Sequence, residues 1–227
     1  VSALTISFEA APYVLSGRLY GALLNHRTAV EAMAGAAAKP PYNGLPKAPV
    51  LFIKPRNTLA LSGELIEVPL GEVELEVAAM LGVVIGATAC RVDESRAHEH
   101  IAGYVIVNDV SVPHPNYYRP SVRYKARDGF CPLGPRVAAP HAIGNPDKLT
   151  IRTYVDGALV QTTSTAQLVR PTARLLADVT EFMTLGPGDI LALGAAAPAP
   201  RARAGQTVAI EIDGIGRIEN QLVAERN

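Results

Sequence analysis

The stretch GYVIVNDVSVPHPNYYRPSVRYKARDGFCPLG, residues 103–134, decides how this chain is read. Residues 104–110 are β-branched and alternating, which is a strand pattern. That strand delivers Asn108 and Asp109 at its end. Prolines at 113, 115 and 120 then impose a loop that presents Tyr117, Tyr118 and Arg119. Arg123, Lys125 and Arg127 follow at intervals of two, a spacing that sets three cations on one face of an extended segment. Such a face suits a ligand with several carboxylates. A solvated basic edge has the same spacing.

Working outward, residues 77–90 are the longest uncharged apolar run and read as a buried strand, bent at Gly82. The run is too short for a bilayer, which takes about 20 residues. Residues 50–53 are a short strand ending at Lys54-Pro55. Residues 28–39 are alanine-rich and helical, stopped by Pro40-Pro41. Asp93 is placed to cap a helix to His100, with Gly103 just past its end. Asp156-Gly157 and Asp213-Gly214 each lie between apolar stretches and signal hairpins. Pro171 opens a helix whose Leu175, Leu176, Val179, Phe182 and Met183 share a core-facing stripe, ended by Gly186. Strands outnumber helices without a regular βα alternation, so a doubly wound sheet is not expected. The expectation is one mainly β (α+β) domain over residues 1–227 with a few short helices.

Lys+Arg and Asp+Glu are both 21 in 227 residues, so net charge is zero. A neutral chain has no electrostatic reason to bind nucleic acid or an anionic membrane, and zero charge favours association. Two separated cysteines, Cys90 and Cys131, indicate neither a disulfide scaffold nor zinc. The start lacks a signal-peptide pattern, so a cytoplasmic setting is expected. No phosphate-cradling glycine loop or nucleophile elbow is present. His98-Glu99-His100 lacks the zinc-helix spacing and reads as surface. His26 reads either as an acid/base group or as a helix cap. Asp109, taken alone, reads as a metal ligand, a turn cap or an ion-pair partner.

Several motifs together resemble the fumarylacetoacetate hydrolase family. They are Phe52-Ile53-Lys54-Pro55, Val83-Val84-Ile85-Gly86, Ile101-Ala102-Gly103-Tyr104, Asn108-Asp109-Val110-Ser111, the block at 128–134, the run at 181–189 and the close at 214–220. Leu24-Asn25-His26-Arg27 and Tyr118-Arg119-Pro120 resemble its isomerase/decarboxylase branch, which occurs as two fused homologous halves or as two subunits. The chain looks like the first half, as a separate subunit. The resemblance implies a mixed β-roll, and it implies action on 2-hydroxyhepta-2,4-diene-1,7-dioate and 5-oxopent-3-ene-1,2,5-tricarboxylate in 4-hydroxyphenylacetate (homoprotocatechuate) catabolism. It further implies a Mg²⁺ or similar divalent cation that stabilises an enolate, and an oligomer, either a homodimer or a pairing with a homologous subunit.

Carried onto this chain, the resemblance puts Lys125 in a catalytic role, and His26 or Glu31 is the base that survives in the chain to act with it. The resemblance puts Lys54, Tyr118, Arg119, Arg127 and Thr165 around a di- or tricarboxylate substrate, and Asp109 on the metal. The family's other two metal ligands are glutamates, and here their positions are Ala78 and Met80. Glu72, Glu74 and Glu76 lie upstream and reach those positions only with a slip of at least two residues, about 7 Å along a strand. The family's His–Glu pair falls on Ala29 and Ala32, and its Gly-Thr-Pro loop on Gly194-Ala195-Ala196. Three readings therefore stay open: an isomerase/decarboxylase subunit, a degenerate partner of an active homologue, and an acylpyruvate-type hydrolase.

Overall fold

The computed structural model describes residues 6–9, 11–114 and 121–226. In chain order its strands are β1 (Ser7–Phe8), β2 (Leu19–Leu23), β3 (Val50–Lys54), β4 (Leu59–Leu61), β5 (Ile66–Val68), β6 (Leu75–Ile85) and β7 (Ile101–Ser111). Then come β8 (Cys131–Ala138), β9 (Thr150–Val155), β10 (Ala158–Ser164), β11 (Ile190–Ala192), β12 (Arg201–Ala202), β13 (Thr207–Ile212) and β14 (Gly216–Ala224). The α-helices are α1 (Arg27–Ala37), α2 (Val122–Lys125), α3 (Pro140–Ile143) and α4 (Thr172–Thr180).

Two mixed sheets result. One runs β1-β8-β7-β6-β11-β2-β3, with β12 also on β6 and β4 also on β8; the other runs β10-β9-β13-β14-β5. The spine is the antiparallel pair β6–β7. Alternation along β6 separates two cores. Ala79, Leu81 and Val83 join Ile210 and Ile218 of the second sheet and Leu175, Leu176 and Val179 of α4. Met80 and Val84 join Val107, Ile190 and Phe52 on the other face. A strand buried on both faces is apolar throughout, which is why its sequence shows a run and no period.

Local rules explain the turns. Asp156 and Gly157 take φ of 49° and 78°, the left-handed pair that a two-residue hairpin needs. At Gly103 a Cβ would lie 2.3 Å from the Ala138 carbonyl oxygen, so only glycine lets β7 and β8 approach there.

Some expectations are corrected. Residues Glu94–His100 form a 3₁₀ helix that the Asp93 side chain does not cap, and Gly103 lies inside β7. Helix α4 stops at Thr180 because the chain must turn for Leu185 to bridge Ala89. Phe182 therefore falls beyond the helix and is 64% exposed, whereas Met183 still packs on the core. Among the described residues no helix is long and apolar enough to cross a membrane.

Candidate functional site

A cavity of about 730 Å³ opens on the face of β6 and β7 that carries Met80. The register builds its floor. Ala78 stands opposite Asp109, Met80 opposite Val107 and Glu76 opposite Ser111. Residues directly opposite share a face of the sheet. Ala29, Ala32 and Met33 of α1 form one wall, Phe52 of β3 lines it as well, and Ala195 to Ala199 border it. Lys125 lines it too, beside Asp109.

Asp109 is 3% exposed and faces two ammonium groups. Lys125 Nζ donates to its Oδ2 at 2.5 Å, and Lys54 Nζ lies 2.9 Å from its Oδ1. Lys54 is fully buried and donates to the main-chain carbonyls of Val110, Lys125 and Phe130 at 2.7, 2.7 and 2.8 Å. An ammonium has three hydrogens, and all three are spent there, so its contact with Asp109 is Coulombic. Burial alone pushes the Asp109 carboxyl up; Lys125 and Lys54 override it, and the net direction is down. Burial pushes the Lys54 ammonium down, with Asp109 opposing.

At the rim, Arg201 pairs with Glu74 at 2.7 Å and with Glu76 at 3.3 Å, and Arg203 approaches Glu74 at 3.7 Å. Glu76 is thus held by a cation, and it sits one pair away from Asp109, not opposite it. In this register Ala78 and Met80, and no glutamate, stand opposite Asp109 and Val107.

A hard divalent cation needs several oxygen ligands. Here two carboxylates line the cavity among the described residues: Glu76 is paired with Arg201, both oxygens of Asp109 already face ammonium groups, and the residues across from Asp109 and Val107 are Ala78 and Met80. Among the described residues no group of three His, Cys, Asp or Glu could hold a metal. The donor set does not fit the divalent cation that the resemblance implies.

The expected site residues scatter. Lys125 and Asp109 reach the cavity. Lys54 does not: alternation along β3 turns Phe52 and Lys54 inward while Ile53 is 61% exposed, and the Lys54 hydrogens all go to carbonyls. His26 is the N-cap of α1, accepting from the Thr28 amide, with Nε2 2.8 Å from Thr163 Oγ1. Burial pushes its pKa down, partly opposed by a backbone hydrogen bond at Ser164 and by Glu31. Thr165 accepts from the Leu149 amide at 2.8 Å and is likewise a fold contact. Arg127 is half-buried and does not line the cavity. Tyr118 and Arg119 lie outside the described residues. The three alternating cations do not share a face, because Val122–Lys125 is a helical turn that exposes Arg123 and buries Lys125.

Ser111 and Arg201 line the cavity and were not singled out as site residues from the sequence; Glu76, weighed there only as a slipped metal ligand, lines it as well. The strand period from Asp109 to Ser111 was the available signal for the serine. Asn25 was also missed. It donates to the Arg170 and Leu193 carbonyls, accepts from the Arg170 amide, and so fixes the entry to α1.

Comparison with known proteins agrees with this architecture. A family model described as fumarylacetoacetate hydrolase C-terminal matches residues 18–223. A 4-hydroxyphenylacetate degradation bifunctional isomerase/decarboxylase of Escherichia coli is 41% identical over 212 residues, covering 93% of this chain and 48% of that protein. The chain thus spans about half the length of this and similar bifunctional relatives. A solved 5-carboxymethyl-2-hydroxymuconate delta-isomerase from Mycobacterium smegmatis has a TM-score of 0.80 at 30% identity, covering 94% of this chain and 81% of its own. A 2-hydroxyhepta-2,4-diene-1,7-dioate isomerase from Mycobacterium marinum has a TM-score of 0.75 at 27% identity, covering 94% and 77%.

Proposed function

The chain belongs to the fumarylacetoacetate hydrolase family, and on that premise we propose that it serves an isomerase/decarboxylase of 4-hydroxyphenylacetate breakdown as a metal-free domain paired with a homologous one. The substrates of the assembly are 2-hydroxyhepta-2,4-diene-1,7-dioate and 5-oxopent-3-ene-1,2,5-tricarboxylate. Residues 1–227 act as a single domain in this reading. The homologous domain carries the metal chemistry, and this one supplies a folded partner surface.

One observation carries the reading: Asp109 faces Lys54 and Lys125 where the family's chemistry needs a cation held by three carboxylates. The cavity walls at Ala29 and Ala32 likewise lack an acid/base pair. Family membership supports the pathway, while the donor set argues against metal-dependent chemistry in this domain.

The test is an ultraviolet assay of the purified chain with 2-hydroxyhepta-2,4-diene-1,7-dioate, once with Mg²⁺ and once with a chelator. No conversion above the spontaneous rate is expected in either. Conversion with Mg²⁺ alone would overturn the metal-free reading. Conversion in both would replace the partner role with a metal-free isomerase acting through Lys125.

A further inference from the structure

Among the described residues, the buried charges around Asp109 do not cancel. Lys54 and Lys125 bring two positive charges and Asp109 one negative, with side chains 0%, 9% and 4% exposed. Lys54 has spent its hydrogens on three carbonyls. Lys125 has spent one on Asp109, which leaves two N–H without an acceptor among the described residues. Its ammonium lies 4.8 Å from the centre of the Phe52 ring, at the apolar wall. Ser111, two residues beyond Asp109 on β7, lines the same cavity. The rim is balanced by contrast: Glu74 and Glu76 meet Arg201 and Arg203.

We propose that this cavity binds a monocarboxylate with an apolar body of aromatic size, its carboxylate on Lys125 and Ser111 and its body against Ala29, Ala32, Met33 and Met80. One anionic charge answers the one surplus positive charge. A buried charge without a partner is costly, so an uncharged ligand leaves that cost in place. A dicarboxylate's second charge meets alanine and methionine along the body of the cavity, and the one other lining cation among the described residues, Arg201, is already paired with Glu74 and Glu76. A volume of about 730 Å³ suits a small molecule; such sites span roughly 300–1,000 Å³. The inference rests on the metal-free reading of Asp109 and not on the pairing with a homologous domain.

Calorimetric titration of the purified chain with phenylacetate, phenylacetamide and phenylmalonate tests it. Phenylacetate is expected to bind one-to-one, about tenfold or more tighter than either comparator, since one lost charge-assisted contact is worth at least 1.4 kcal/mol or so. Lys125→Met is expected to erase the preference for phenylacetate over phenylacetamide. Ala32→Phe, which fills the cavity, is expected to abolish binding of both, with circular dichroism checking that each variant folds. Tighter binding of phenylmalonate, or a preference that survives Lys125→Met, would overturn the proposal. Mn²⁺ is titrated into the same samples. Mn²⁺ binding that Asp109→Asn removes would overturn the metal-free reading itself, whereas absence of both Mn²⁺ and phenylacetate binding would sink only the monocarboxylate site.

Discussion

Asp109 and Asp189 are both buried carboxylates, and they are held in opposite ways. Asp189 is fully buried, yet it accepts from Ser16 Oγ, Arg18 Nε and the Gly186 amide, and the Arg18 side chain is 59% exposed. Water therefore shares in balancing that charge. The neighbouring Gly188 allows the tight turn, because a Cβ there would sit 2.6 Å from the Val14 carbonyl oxygen. Asp189 is a clamp that joins the chain before β2 to the start of β11. Asp109 has two cationic partners, both of them buried. The same side chain is balanced by a solvated arginine in one place and by two buried ammonium groups in the other.

The largest test of that contrast is Asp109→Ala. It strips the one anion from two buried ammonium groups, and about 3–5 kcal/mol of stability should be lost in urea denaturation. A loss below about 1 kcal/mol would mean that water already reaches Lys54 and Lys125, and the contrast would collapse. Asp189→Asn keeps the shape and an acceptor oxygen, and its cationic partner is solvated. It should cost only about 1 kcal/mol, the difference between a charged and a neutral hydrogen bond.

Acid pH sharpens the comparison further. The two ammonium groups hold the Asp109 carboxyl below its ordinary value. Its stabilisation is therefore complete above the usual carboxylate range, about pH 4, and is lost as pH falls through the lower folded-state value. The stability gap between the native chain and Asp109→Asn should shrink as pH is lowered from 7 to about 2.5. A gap that widens would reverse the sign and refute the pairing.

The smallest effect is chemical. Cys131 lies beneath Lys54, and burial pushes its thiol up to about 12, whereas Cys90 is exposed. Iodoacetamide at mild pH should label one thiol in the folded chain and both in urea, as counted by mass spectrometry. Labelling of both without denaturant would show that the region around Asp109 opens to solvent.

What could be read ahead of the structure was local. Asp156-Gly157 and Asp213-Gly214 gave away their hairpins, the first a two-residue loop and the second a three-residue loop over 213–215, because both turns need glycine at a positive φ. That Ala78 and Met80 flank Asp109 across the β6–β7 pair agrees with the apolar character of the run in sequence. The period of two in Arg123, Lys125 and Arg127 misled, since so short a run fits a helical turn equally well. Lys54 was assigned to substrate because its real partners lie 56, 71 and 76 residues away, and no window of sequence brings those carbonyls together. His26 shows the bland alternative prevailing: a histidine before a helix capped it.

The three carbonyls on Lys54 have a kinetic consequence. They belong to the end of β7, to α2 and to the residue just before β8, and the lysine itself ends β3. None of these segments can move away without stranding an ammonium among acceptors it has lost. Their amides should consequently exchange with deuterated solvent as one cooperative unit, at a common rate set by a single opening event, while the outer hairpin β9–β10 exchanges independently and sooner.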